Sequence, residues 1–323
     1  MLNGDATRVI LEDTDVPGDI TVWADVLYEG PCPGGLTQAE WRRVRERHHA
    51  PGGEDGEDGE GEGKNVGLLR DWNERLDRFD DYEEVVFWLE HDLFDQLLLI
   101  RHLHWLSSAV ADRSRARLIC IDRFPGRERF NGLGELTPPE LATLFPRRAP
   151  VSGEQIALGI TLWDAFGSDD PRPLSDLVLH GDTSALPFAA GALTRYLEDF
   201  PSTANGLGRS EQQALSLVAR GIRSADDLFR SAAALEERVF MGDSTFFEIL
   251  QRLAGGRSPL LAHDGRFSPH APPTGAFTLT ADGRAVLEGR ADYIDLNGID
   301  RWMGGVHLTD GRYRWTGNGF RNP

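Results

Sequence analysis

No run of 18 or more apolar residues occurs among the 323 residues, and Asp5 stands where an export signal needs basic and then apolar positions. A membrane-spanning helix and a secretory leader are therefore not expected, and the sequence reads as cytoplasmic. Cysteine is nearly absent. Cys32 and Cys120 have neither zinc-ligand spacing nor further cysteines with which to build a disulfide framework, which fits a reducing compartment. Cys120, between Ile119 and Ile121, is expected as a buried, inert thiol. Neither a Gly-x-Ser-x-Gly elbow nor a Gly-x-x-x-x-Gly-Lys-Ser/Thr loop occurs, which disfavours a covalent serine hydrolase and a P-loop nucleotide site. Lysine is reduced to Lys64, so arginine carries nearly all the basic charge.

What is present is length, apolar content and an uneven charge. A chain of 323 residues exceeds the size at which single cores stop growing, and 40% hydrophobic residues support ordinary cores, so two domains are expected. The formal charge is −18. Residues 185–323 hold 15 basic against 16 acidic side chains, leaving 19 basic and 36 acidic ones in residues 1–184. The N-terminal half would repel phosphate unless a metal or a helix terminus intervened, and only the C-terminal half is suited to approach nucleic acid. Residues 51–63, PGGEDGEDGEGEG, carry six carboxylates and no apolar side chain, so a disordered acidic loop is expected there.

Periodicity and capping signals place the remaining elements. Met1–Asp5 reads as a short strand entering the turn Asn3-Gly4-Asp5, followed by a helix over Ala6–Leu11 and a second strand over Ile20–Leu27. Thr37 precedes Glu40 by three residues, a capping-box spacing that starts a helix within Leu36–His48; Val66–Phe79 is a further amphipathic helix. Val85–Leu89 is a continuously apolar strand of the kind covered on both faces, Leu93–Val110 a long helix and Arg117–Ile121 a fourth strand. This alternation predicts an α/β domain with a Rossmann-like parallel sheet over residues 1–150. Helices follow over Gly153–Phe166, Ser175–His180 and Leu186–Phe200, with 151–184 read as a helical linker. Residues 185–323 then supply helices at Arg209–Arg220, Ser224–Phe229 and Ser244–Leu253, extended pieces at Pro259–Ala262 and Ala276–Thr280, and a helix at Ala281–Glu288. Three helices, a short hairpin and a helix predict a mostly helical, winged-helix-like second domain.

The segments Asn3–Asp5 (NGD), Glu29–Pro31 (EGP), Glu90–Gln96 (EHDLFDQ), Gly132–Leu136 (GLGEL) and Phe145–Arg148 (FPRR), with the later FPS, NGL and FMGD, form a recognisable set. On these the chain resembles the uncharacterised bacterial family catalogued as domain of unknown function 1835. The resemblance implies a shared architecture over most of the chain and supplies no activity, since the family has none assigned.

Ligands of parallel sheets sit at the carboxyl ends of the strands, and the ionisable residues gather there in the sequence. Glu90, His91 and Asp92 follow an apolar strand directly and precede a helix whose first turn holds Asp95 and Gln96, so three titratable groups meet a helix N-terminus. Asn3, Gly4 and Asp5 follow the first strand in the same way; Asp25 and Glu29 lie near the end of the second. An imidazole beside carboxylates suits acid–base work, so His91, Asp92 and Asp5 are the candidate catalytic residues. Asp5 and Asp92 are candidate ligands for a divalent metal such as Mg or Mn, which the oxygen-rich set suits better than zinc. Asn3, Gly4, Asp25, Glu29, Glu90, Asp95, Gln96, Gly134 and Glu135 are candidate ligand-binding residues. Against these stand structural readings: Asp92 as a helix N-cap, Asp95 at the positive end of a helix dipole, and Glu135 in a loop hydrogen bond. The composite expectation is a domain that binds a small phosphorylated or nucleotide-like ligand and acts on it as a metal-assisted hydrolase or transferase. The alternative is a ligand-responsive winged-helix transcription regulator, although the helix around Phe246 offers only Gln251 and Arg252 to DNA.

Overall fold

A computed structural model of the chain describes residues 1–50, 62–110, 112–268 and 271–321, and shows a mixed α/β protein. The chain divides into two compact units, Met1–Leu193 with Trp302–Val306, and Thr194–Arg301 with His307–Pro323. Among the described residues no helix is long and apolar enough to cross a membrane.

The first unit opens with α1 (Asp5–Glu12), α2 (Gln38–His49) and α3 (Glu62–Asp77). The Thr37 hydroxyl accepts from Glu40 N at 3.3 Å while Glu40 Oε2 accepts from Thr37 N at 2.9 Å, so the expected capping box starts α2. Of the expected acidic loop, residues 51–61 lie outside the described residues, and positions 62 and 63 belong instead to α3. Next come β1 (Val85–Glu90), α4 (Leu93–Ala109) and β2 (Ala116–Ile121), then α5 (Pro138–Ala142), the two-residue β3 (Ala149–Pro150), α6 (Gly153–Phe166) and α7 (Arg172–His180). The boundary between the units falls within α8 (Ala189–Leu197).

β1 and β2 pair in parallel from Val85 opposite Ala116 to Glu90 opposite Ile121, and β3 adds antiparallel to β2. The two earlier extended segments reach the same sheet through single bridges, Leu2 lying parallel to both Val22 and Trp88. Leu2 N donates to Thr21 O at 2.8 Å, Trp23 N to Leu2 O at 2.9 Å and Trp88 N to Met1 O at 2.9 Å. Across the sheet the order is therefore 21–23, 1–3, β1, β2, β3. The expected strands Met1–Asp5 and Ile20–Leu27 are shorter than their apolar patterns suggest. α1 begins at Asp5, and beyond Trp23 the Asp25 side chain turns to Arg45 while Glu29 N closes a turn on Val26 O.

One face of the sheet packs Leu2, Trp88 and Ile119 against Leu11 of α1 and Leu141 of α5. The other carries α4, which is apolar nearly all round and buried along its length. α6 lies close on α4: a Cβ at Gly159 would come within 2.5 Å of Leu103 Cβ, so only glycine permits that approach. The segment read as a linker, 151–184, is for this reason part of the first unit. Trp302–Val306 joins it too, with Cys32 N donating to Gly304 O at 2.7 Å and Gly305 N to Phe166 O at 3.0 Å.

The second unit contains α9 (Arg209–Ala219), α10 (Ala225–Leu235) and α11 (Asp243–Ala254), the antiparallel pair β4 (Leu261–His263) and β5 (Phe277–Leu279), then α12 (Ala281–Leu287) and α13 (Tyr293–Asn297). Leu215, Leu228, Phe246, Leu250, Phe277 and Val286 meet in its core.

Candidate functional site

The apolar run of β1 stops at Glu90, and the next residues turn the chain into α4. Asp92 takes the extended N-cap conformation, and its Oδ1 accepts from Asp95 N at 3.1 Å. The structural reading of Asp92 as a cap is thus realised. Capping fixes the first turn of α4, which places Asp95 and Gln96 back over the end of β1. Asp95 Oδ2 accepts from Glu90 N at 2.5 Å, and Gln96 Nε2 donates to Glu90 O at 2.5 Å.

Asn3, at the end of the neighbouring 1–3 segment, joins the cluster. Its Nδ2 donates to Glu90 Oε1 at 3.0 Å and to Asp95 Oδ2 at 2.9 Å, and Thr7 steadies it by donating to Asn3 Oδ1 at 3.1 Å. Glu90 Oε1 also accepts from Leu133 N at 2.6 Å. Glu90, Asp92 and Asp95 are all buried, and one oxygen from each lies within 4.8 Å of the others. Burial, then the Asp92 charge, pushes the Glu90 carboxyl up to about 8 despite the Leu133 and Asn3 donors. Burial, then Asp92 and Glu90, holds Asp95 well above the usual carboxylate range. The His91 ring stacks on Phe130 and meets Phe188 edge-on, each at 6.2 Å between centroids.

Beside the cluster is a cleft of about 300 Å³ walled by Gln96, Leu118, Cys120, Arg147, Gln155 and Phe188. Gln96 is almost wholly buried, with its amide nitrogen spent on Glu90 O and Cys120 Sγ; its Oε1 has no hydrogen-bond partner among the described residues. Cys120 donates to Glu90 O at 3.3 Å, and burial pushes its thiol up to about 12, which favours the protonated form. A second cleft, of about 120 Å³, lies at the amino ends of the same strands between Met1, Leu11, Trp88 and Phe145, away from the clustered carboxylates.

Several sequence candidates fall elsewhere. Asp5, expected as metal ligand and catalyst, occupies the first turn of α1 facing solvent; its side chain is 78% exposed and pairs with Arg8 Nε at 2.8 Å. Its neighbour Asn3 points inward instead. Asp25 and Glu29 belong to a separate knot around Arg45, which is completely buried. Arg45 Nε and Nη2 reach Asp25 at 2.8 and 2.6 Å, Nη1 reaches Glu29 O at 2.6 Å, and His49 Nε2 lies 2.8 Å from Asp25 Oδ1. Glu135 holds its own loop, accepting from Asn131 N at 3.2 Å and Asn131 Nδ2 at 2.7 Å. Gly134 packs against α1, where a Cβ would lie 3.1 Å from Ala6 Cβ, and Gly4 has open space around its Cα. The glycine that matters in GLGEL is Gly132. It takes φ +149°, and a Cβ there would overlap Glu90 Oε2. The motif drew attention to the loop, but no local signal distinguished Gly132 from Gly134. Arg147, Phe130 and Phe188 carried no signal that tied them to the cluster. No protein-family model matches the chain, and no curated protein shows significant similarity to it.

Proposed function

We propose that the first unit is a Rossmann-like domain that binds a small phosphorylated or nucleotide-like ligand at the carboxyl edge of its parallel strands. On this reading it acts on that ligand as a metal-assisted hydrolase or transferase. The observation that carries the reading is the order of the extended segments. From 1–3 the chain passes through α1 to 21–23 on one side, whereas β1, on the other side, leads through α4 away to β2. Adjacent strands whose connections run to opposite sides open a crevice at their carboxyl ends, where doubly wound sheets bind ligands.

Asn3 and the Glu90–Gln96 segment face each other across this point. These two stretches also carry the strongest part of the resemblance to the domain of unknown function 1835, and we propose a shared architecture on that basis. The N-terminus of α4 favours an anion, and Arg147 stands on the cleft wall. Leu118 and Phe188 offer the apolar surface that a ring prefers, and Gln96 Oε1 an open acceptor for a ligand N–H or O–H.

For the second unit we infer a winged-helix arrangement from α9, α10 and α11 followed by the β4–β5 pair and α12. A role in reading DNA draws less support. The exposed side of α11 carries Asp243, Glu248, Gln251 and Arg252, and Arg252 is turned to Glu211 at 3.2 Å. Acidic groups on that helix oppose a phosphate backbone.

Thermal denaturation against nucleotides and sugar phosphates tests the ligand reading. A compound present at 100 times its dissociation constant adds about 2.7 kcal/mol to the native state. A rise in Tm is expected for the wild type and is expected to vanish in His91→Ala and weaken in Arg147→Ala. If no phosphorylated compound moves the wild-type Tm, the reading is wrong.

A further inference from the structure

Three carboxylates buried together are costly. Charges removed from water must be compensated by partners, by a retained proton or by a bound cation. The hydrogen bonds at the end of β1 show which oxygens are compensated. Glu90 Oε1 has two donors, Asn3 Nδ2 and Leu133 N, and Asp95 Oδ2 also has two, Asn3 Nδ2 and Glu90 N. Glu90 and Asp95 are each held in this way by one oxygen. Among the described residues, Asp95 Oδ1 receives no hydrogen bond, although the Asp95 side chain has no solvent exposure at all, and the hydrogen bonds that reach the Glu90 side chain end on Oε1, leaving Oε2 beside Gly132. An acceptor so deeply buried and left open is destabilising, and more so when charged.

We propose that Glu90, Asp92 and Asp95 bind a divalent cation at the carboxyl end of β1, with Glu90 Oε2 and Asp95 Oδ1 as two of its ligands. Donor atoms within 4.8 Å of one another fit one ion. Oxygens sharing Ca²⁺ lie at most about 5 Å apart and those sharing Mg²⁺ about 4 Å, from the ordinary metal–oxygen distances. The bonds from Asn3, Leu133 N and Glu90 N are of the kind that orient ligating carboxylates from behind. Gly132 keeps the space beside Glu90 Oε2 open. The donor set is all oxygen, and the nearby thiol of Cys120 is engaged with Glu90 O, so Mg²⁺, Mn²⁺ or Ca²⁺ suits the site and Zn²⁺ does not. A cation here would also turn an edge that repels phosphate into one that attracts it. The inference shares its place with the ligand reading above, yet it stands on the carboxylates alone.

The metal alone serves as probe, which separates failure of this inference from failure of the ligand reading. Full-length protein stripped with EDTA is titrated with Mn²⁺, following free Mn²⁺ by electron paramagnetic resonance, and Tm is measured with Mn²⁺, Mg²⁺ or Ca²⁺ added. One Mn²⁺ site and a higher Tm are expected for the wild type. At least a tenfold loss of affinity is expected in Asp95→Asn and in Asp92→Ser, the latter chosen because serine preserves the helix cap. In EDTA both variants are expected to melt at or above the wild type, which shows that they fold. Asp5→Asn should bind Mn²⁺ as the wild type does. Absence of binding in the wild type at millimolar Mn²⁺, or binding unchanged in the two cluster variants, overturns the proposal and leaves a retained proton as the means of compensation.

Discussion

Asp25 and Asp95 are both fully buried carboxylates of the first unit, yet their surroundings treat them in opposite ways. Burial by itself would raise Asp25, but the Arg45 charge and its paired N–H donors, with His49, hold the carboxyl well below the usual range. Both Asp25 oxygens are taken, and Arg45 spends its remaining donors on Glu29 O, Pro31 O and Val26 O. Around Asp95 the nearest charges are Asp92 and Glu90, both of the same sign, and one oxygen is left over. A buried ion pair closed on itself serves architecture. A buried carboxylate kept among like charges, beside a cleft, is the arrangement on which the proposed cation site rests.

The largest effect should come from neutralising each acid in turn. Asp25→Asn leaves the buried Arg45 uncompensated and should cost about 3–5 kcal/mol in chemical denaturation. Asp95→Asn in metal-free protein should cost nothing or stabilise, because it removes a like-charge repulsion. Equal losses in both would erase the contrast.

Gly132→Ala tests whether the space beside Glu90 Oε2 matters. The backbone at φ +149° and the overlap with that oxygen should together cost about 1–3 kcal/mol, and the substitution should abolish Mn²⁺ binding. Retained Mn²⁺ affinity would show that the oxygen is not a ligand.

Acid titration gives a smaller, gradual effect. The Asp25 carboxyl is held below its ordinary value of 3.8, so the stability it contributes is full above about 3.8 and lost as pH falls beneath it. Tm measured from pH 6 to pH 2.5 should therefore fall less steeply below pH 4 in Asp25→Asn than in the wild type. The smallest effect belongs to Asp5→Asn. It opens a solvent-exposed pair with Arg8, and a melting curve indistinguishable from wild type is expected.

Much of the fold was legible in the sequence because its signals are local. The capping box at Thr37 and Glu40 and the unbroken apolar run of β1 each lie within a few residues of what they specify. The two N-terminal strands were legible as extended segments but not as single bridges, since their extent depends on where Asp25 finds Arg45. The cluster was legible as a run of polar residues ending an apolar strand. Its membership was not. Asn3 and Asp5 are two residues apart and both polar, yet Asn3 ends the sheet segment and reaches Glu90, whereas Asp5 lies on the solvent side of the first turn of α1.

The sequence by itself determined the succession of helices and strands, the uneven charge and the position of Glu90–Gln96 at a strand end, because periodicity and caps act over one or two turns of chain. Tertiary structure alone decided that Asn3 bridges Glu90 and Asp95 across 87 and 92 residues, that Leu133 N reaches Glu90 across 43, and that Asp25 is sealed by Arg45. Those partners are chosen by strand order and packing, which bring together groups that no local pattern relates.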